Sequence, residues 1–180
     1  MTRAQFALAE SDGAFYGRSI ELINGELIDK RPKSRPHSIV LAYLNAWLIG
    51  AFGFRFVNSE TSIDVTPEDN PTSQPEPDLI VLNRESRTIR DANPQPADLR
   101  LVIEVADTSL TLDRTAKAKL YARAGIVEYW IADVVSRRIY VHRQPADGAY
   151  RAISVYDEND SVASLAAPDH PVVVREVFEG

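Results

Sequence analysis

Two carboxylates stand where this chain leaves little room for charge. Asp78 opens the apolar run DLIVL, 78–82, and Glu104 interrupts the apolar run LVIEVA, 101–106. Short apolar runs of this kind are typical of buried strands. A carboxylate in such a place needs a cation, a metal ion or several donors. A buried salt bridge, or an outward-facing position on its strand, would satisfy either residue alone. Both together on neighbouring runs, followed by a lysine-bearing segment, point to phosphodiester hydrolysis. That reaction requires charge on the phosphoryl oxygens to be neutralised and a water to be activated. Mg²⁺ does both while taking one or two carboxylates plus waters. A nearby ammonium can orient the water or stabilise the developing negative charge.

The ammonium has two candidates. Lys117 and Lys119 both lie in a predicted helix over 111–124, closed by Gly125. Two positions apart, they point roughly 200° apart around the axis. Leu112, Ala116, Leu120 and Ala124 mark the buried face, and the two lysines flank it on either side. Periodicity does not choose between them. Asp113, Lys117 and Tyr121 share an i, i+4 stack, so Lys117 could also simply pair with Asp113.

The elements that must position these residues follow from the pattern. Residues 20–28 read as two short strands around Asn24-Gly25, a dipeptide that accepts positive φ. A basic, proline-containing loop fills 29–36. A helix over 37–52 carries Val40, Leu41, Leu44, Trp47, Leu48 and Ala51 on one apolar face. Extended structure is expected over 54–65, a proline-rich loop over 67–77 and a polar connection over 83–100. Strands follow at 128–133 and 138–143, joined as a hairpin through 134–137, and late strands at 150–155 and 172–177. Tyr121, Tyr129 and Trp130 lie among apolar neighbours and read as core. The order of elements predicts one α/β domain over 1–180, with a mixed central sheet, two main helices and additional N- and C-terminal strands.

Bulk properties bound the rest. The chain has 180 residues, 44% hydrophobic and 26% charged, and no cysteine, which excludes disulfides, thiolate metal sites and a cysteine nucleophile. The lack of cysteine fits a cytoplasmic location. No signal peptide is expected from the first ten residues, and no run is long enough to cross a bilayer. The net charge of −6 is unusual for a nucleic-acid binder. Against it, Lys30, Arg31, Lys33 and Arg35 cluster in one segment, and Arg84, Arg87 and Arg90 in another; each cluster reads equally as a solvated loop. No glycine-rich phosphate loop, nucleophile elbow or histidine-based zinc spacing is present in the sequence.

From Glu21 onward the chain resembles the restriction-endonuclease family called Uma-two, a branch of the PD-(D/E)XK nuclease superfamily. The matching pieces are ELINGEL at 21–27, His37 at the start of the first long helix, PEPDLIVL at 75–82, LVIEVADTSLTLDRTAKAKLYARAGIVEYWIAD at 101–133 and VVVREVF at 172–178. The resemblance implies a restriction-endonuclease-like fold and an Mg²⁺- or Mn²⁺-dependent endonuclease that hydrolyses DNA. It makes Asp78 the acid of the PD motif, after Pro77, and Glu104 the acid of the second motif. The superfamily's plain pattern has a lysine two residues after that glutamate, where this chain has Ala106. The resemblance moves the lysine to the helix, to Lys117 in DRTAK. It also places Glu21 in the metal shell, with a strand-edge surface charge as an equal alternative. His37 would contact phosphate or hold an active-site carboxylate, with a capping or packing role as the alternative. Lys30, Arg31 and Lys33 are the expected phosphate contacts, and a homodimer is the implied assembly. A different class, a non-catalytic nucleic-acid-binding or interaction module that keeps the fold, is favoured by the acidic charge and by Ala106.

Overall fold

Asn24 and Gly25 take positive φ angles of 50° and 82°, and the chain doubles back there as expected. The turn pairs β1 (Ser19–Ile23) with β2 (Glu26–Lys30) in a small antiparallel sheet of their own. The computed structural model describes residues 1–30 and 33–179. They include a helix the sequence reading lacks, α1 (Arg3–Ser11), started by a capping box between Thr2 and Gln5.

The central sheet has the order β3 (Val57–Ser59), β4 (Leu79–Leu82), β5 (Leu99–Ala106), β6 (Glu128–Asp133), β7 (Arg138–Ala146) and β8 (Ala149–Tyr156). Only β5 and β6 run parallel within it, so the sheet is mixed, as expected. A parallel pair needs a long crossover. Here it is α3 (Leu110–Leu112), a π-helical turn (Asp113–Lys117) and α4 (Ala118–Arg123), where the sequence predicts one regular helix.

Alternation along the strands sorts side chains into two layers. Leu79, Val81, Leu101, Ile103 and Val105 face α2 (Arg35–Phe52), which contributes Val40, Leu44 and Leu48. Ile80, Leu82, Val102 and Ala106 face the crossover, packing with Ala118, Tyr121 and Ala122. Glu104 belongs to the second set by its place between Val102 and Ala106. Leu79 pairs with Ile103, so one step along the same antiparallel register sets Asp78 opposite Glu104. Tyr121, Tyr129 and Trp130 are fully buried core residues.

Two expected strands are corrected. Over 54–65 only Val57–Ser59 is strand. Glu60 turns away with φ of 48°, and the following residues bond to loops, as Ile63 N–H does to the Pro75 carbonyl. At the C-terminus, β9 (Ser161–Val162) pairs with β10 (Val172–Val173), and the chain then enters α5 (Val174–Glu179) instead of continuing as strand to 177. Val174 and Val177, three apart, are both fully buried in the α2 layer, so packing overrides the strand preference of valine. Among the described residues no helix is long and apolar enough to cross a membrane.

Candidate active site

The π-turn decides which lysine enters the protein. Lys117 is 2% exposed, whereas Lys119 lies at the surface. The Ala118 N–H reaches back five residues to the Asp113 carbonyl, which also accepts from the Tyr129 hydroxyl at 3.1 Å. The wide turn buries Asp113 together with Lys117. Lys117 Nζ sits 2.8 Å from Glu21 Oε1, 2.9 Å from Glu104 Oε1 and 3.8 Å from Asp113 Oδ1. The i, i+4 partner is thus the most distant of the three.

Glu104 receives a second donor at the same oxygen, the Tyr121 hydroxyl at 2.9 Å. Among the described residues its Oε2 takes no hydrogen bond. Burial pushes the Glu104 carboxyl above its usual range; Lys117 pulls it back, and the Asp113, Asp78 and Glu21 charges push it further. Asp113 is raised by burial against the pull of Lys117 and of the Ser109 hydroxyl, which donates to it at 2.6 Å. For Lys117, burial favours the neutral amine, but the Glu104, Glu21 and Asp113 charges outweigh it and hold the ammonium well above the ordinary lysine value.

Asp78 is built differently. Its Oδ2 accepts the Val105 backbone N–H at 2.8 Å and lies 3.6 Å from His37 Nε2. His37 is placed by Ser34, whose hydroxyl accepts the His37 N–H and caps α2. Burial would raise the Asp78 carboxyl, but the His37 contact, the Lys30 charge and the Val105 amide together hold it down at about 2. Asp78 is therefore a carboxylate at neutral pH. Its Oδ1 is buried and, among the described residues, has no hydrogen-bond partner.

Glu21, Lys30, Lys33, His37, Asp78, Glu104 and Lys117 line one cavity of about 900 Å³, between the β1–β2 hairpin, the start of α2 and the end of β5. Lys30 Nζ donates to the Glu76 carbonyl at 2.7 Å. Burial opposes its charge, but Glu104, Asp78 and Glu21 raise its pKa on balance. Arg31, the fourth expected phosphate contact, lies outside the described residues. Glu21 turns one oxygen to Lys117 and accepts the Glu76 N–H at the other, 3.2 Å away. Ala106 is fully buried among the layer's apolar residues, and Lys117 reaches Glu104 from the crossover instead. A second cavity, beside Val65, Pro96 and Leu99, has no ionisable side chain in its wall.

Three participants escape the sequence reading. Tyr121 reads only as core, because nothing in a helical apolar stripe reveals a hydroxyl aimed at a strand carboxylate. Asp113 reads only as an i, i+4 pairing partner of Lys117. Glu60, at the cavity wall, carries no signal in a segment expected to be plain extended chain. By contrast, Arg84 and Arg87 are engaged by Asp98 and Glu85, away from this cavity.

A family model described as "Putative restriction endonuclease", Uma2, matches residues 10–170. The chain belongs to the Uma2 family. Glu21, Asp78, Glu104 and Lys117 all fall inside the matched stretch, whereas most of α1 precedes it and α5 follows it. The Uma2 chain is similar in fold to the crystal structure of "a putative nuclease belonging to DUF820 from Anabaena variabilis". The two share 17% identity at a TM-score of 0.69, over 89% of this chain and 90% of that one. No curated protein matches. The fold, shared with that structure, is restriction-endonuclease-like α/β, and the family supports a nuclease.

Proposed function

We propose that this Uma2 protein is an Mg²⁺- or Mn²⁺-dependent endonuclease that hydrolyses DNA phosphodiester bonds in the cytoplasm. The observation that carries the proposal is the convergence of Asp78, Glu104 and Lys117 in one cavity. The donor set fits a hard cation. Among the described residues, Asp78 offers a charged, buried oxygen with no hydrogen-bond partner, and Glu104 keeps both its donors on one oxygen. Among the described residues no group of three or more His, Asp or Glu side chains is placed to hold a metal ion together. That is compatible with Mg²⁺, which binds through one or two carboxylates and retains waters.

Asp78 and Glu104 would hold the ion, with Glu21 close enough to Lys117 to adjust the local charge. A bound divalent cation supplies Lewis-acid polarisation of the phosphoryl group and a more acidic water. Lys117 orients a water near Glu104 and stabilises negative charge that develops on the phosphoryl oxygens. Tyr121 and Glu21 restrict the directions its partners can take. His37 keeps Asp78 in place from the α2 side, and Lys30 and Lys33 offer positive charge to the substrate backbone at the cavity wall. A homodimer would bring two sites to a duplex, one for each strand, which sedimentation in the presence of DNA would measure. The test of the activity is cleavage of supercoiled plasmid and of single-stranded DNA with and without Mg²⁺ or Mn²⁺. Metal-dependent nicking supports the reading, and DNA binding without cleavage in any metal would favour the non-catalytic alternative.

A further inference from the structure

Asp78 Oδ1 faces the ammonium of Lys33, which the proposed chemistry assigns only to the substrate backbone. Lys33 Nζ lies 3.7 Å from it, too far for a hydrogen bond, and 2.6 Å from Glu60 Oε1. Glu60 is brought there by an unusual backbone. Its φ of 48° is in the left-handed region, uncommon for a residue with a side chain, and its N–H donates to the Asp78 carbonyl at 3.1 Å. The Lys33 side chain is 27% exposed and the Asp78 side chain 5%, so the lysine can withdraw toward solvent while the aspartate cannot. Both Lys33 and Glu60 line the cavity.

We propose that Lys33 is the resident counter-ion of Asp78, tethered by Glu60, and that a divalent cation must displace it, so that Lys33 sets the metal affinity of the site. The proposal rests on the metal-dependent reading above. A buried carboxylate without a partner is costly, and Lys33 lowers that cost before metal arrives. Ion and ammonium compete for the same oxygen. Once displaced, Lys33 stays at the cavity wall, hydrogen-bonded to Glu60 and free to turn to a phosphate.

The test is calorimetric titration of Mn²⁺ into the full chain and into Lys33→Met, Lys33→Arg and Asp78→Asn, each first checked by thermal melting. Lys33→Met should bind Mn²⁺ about fivefold more tightly, the factor set by a water-screened unit charge pair near this distance. Lys33→Arg should restore the weaker affinity of the natural chain, and Asp78→Asn should lose binding. Equal or weaker Mn²⁺ binding in Lys33→Met, with binding still lost in Asp78→Asn, overturns the role of Lys33 and leaves the metal site standing. No Mn²⁺ binding in the natural chain, or undiminished binding in Asp78→Asn, overturns both.

Discussion

The ammonium of Lys117 and the carboxylate of Glu104 meet at 2.9 Å, one from a π-turn and the other from the middle of a buried strand. Glu21 and Asp113 surround the same ammonium, so the cation neutralises a cluster that would otherwise repel itself.

Lys117→Met should therefore cost stability as well as turnover. Removing one partner from a buried ion cluster costs about 3–5 kcal/mol at neutral pH. The remaining carboxylates then favour their protonated forms, so folding takes up protons. Stability of the variant should rise as pH is lowered and fall as it is raised. Urea melts at pH 5 and pH 8 would check this; equal loss at both pH values contradicts it. Metal affinity should survive, since Lys117 is not a ligand.

Tyr121→Phe removes a hydroxyl from a buried carboxylate and nothing else. A hydrogen bond to a charged group contributes about 1.5–3 kcal/mol, and that is the expected loss in urea melts. With Glu104 less restrained, cleavage should slow at unchanged KM. A variant as stable as the natural chain would show that the Tyr121–Glu104 contact contributes nothing.

His142 gives a pH signature remote from metal chemistry. It is 3% exposed and packs against the rings of Tyr129, tilted, and Tyr150, edge-on. Burial pushes its pKa down from 6.5 to about 4, against a bond with the Tyr129 backbone, and Arg114 adds to the depression. In that window the unfolded chain binds a proton that the folded chain refuses, so stability falls as pH drops from 6.5 to about 4. Above the window His142 is neutral in both states and contributes no slope. His142→Gln should flatten this part of the stability profile relative to the natural chain. Parallel profiles for the two proteins would contradict the assignment.

Much of this fold is readable in the residues because the signals are local. Asn24-Gly25 announces its hairpin, the apolar stripe from Val40 to Leu48 announces α2, and the two buried runs announce β4 and β5. The strand expected over 172–177 holds at Val172 and Val173 and fails from Val174 on, because the face that Val174 and Val177 pack on is set by α2, far away in sequence. The helix α1 goes unread although its signal is local too, the capping box of Thr2 and Gln5. The charged neighbourhood was less accessible. A π-turn does not follow from a helical pattern, so periodicity leaves Lys117 and Lys119 equivalent when their burial is opposite. The positive φ of Glu60 and the reach of Lys33 to Asp78 depend on long-range pairing that no short window contains.

The central claim is that Asp78 and Glu104 form a metal-dependent hydrolytic site. The most direct measurement is the rate of plasmid nicking, in Mg²⁺ and in Mn²⁺, by the natural chain, Asp78→Asn and Glu104→Gln, with folding verified by melting. Each substitution keeps the side-chain shape and removes the charge that would hold the ion. The account predicts nicking by the natural chain only with metal, and its near-complete loss in both variants. Nicking by Glu104→Gln at the natural rate in the same metal would contradict it and make the cluster structural.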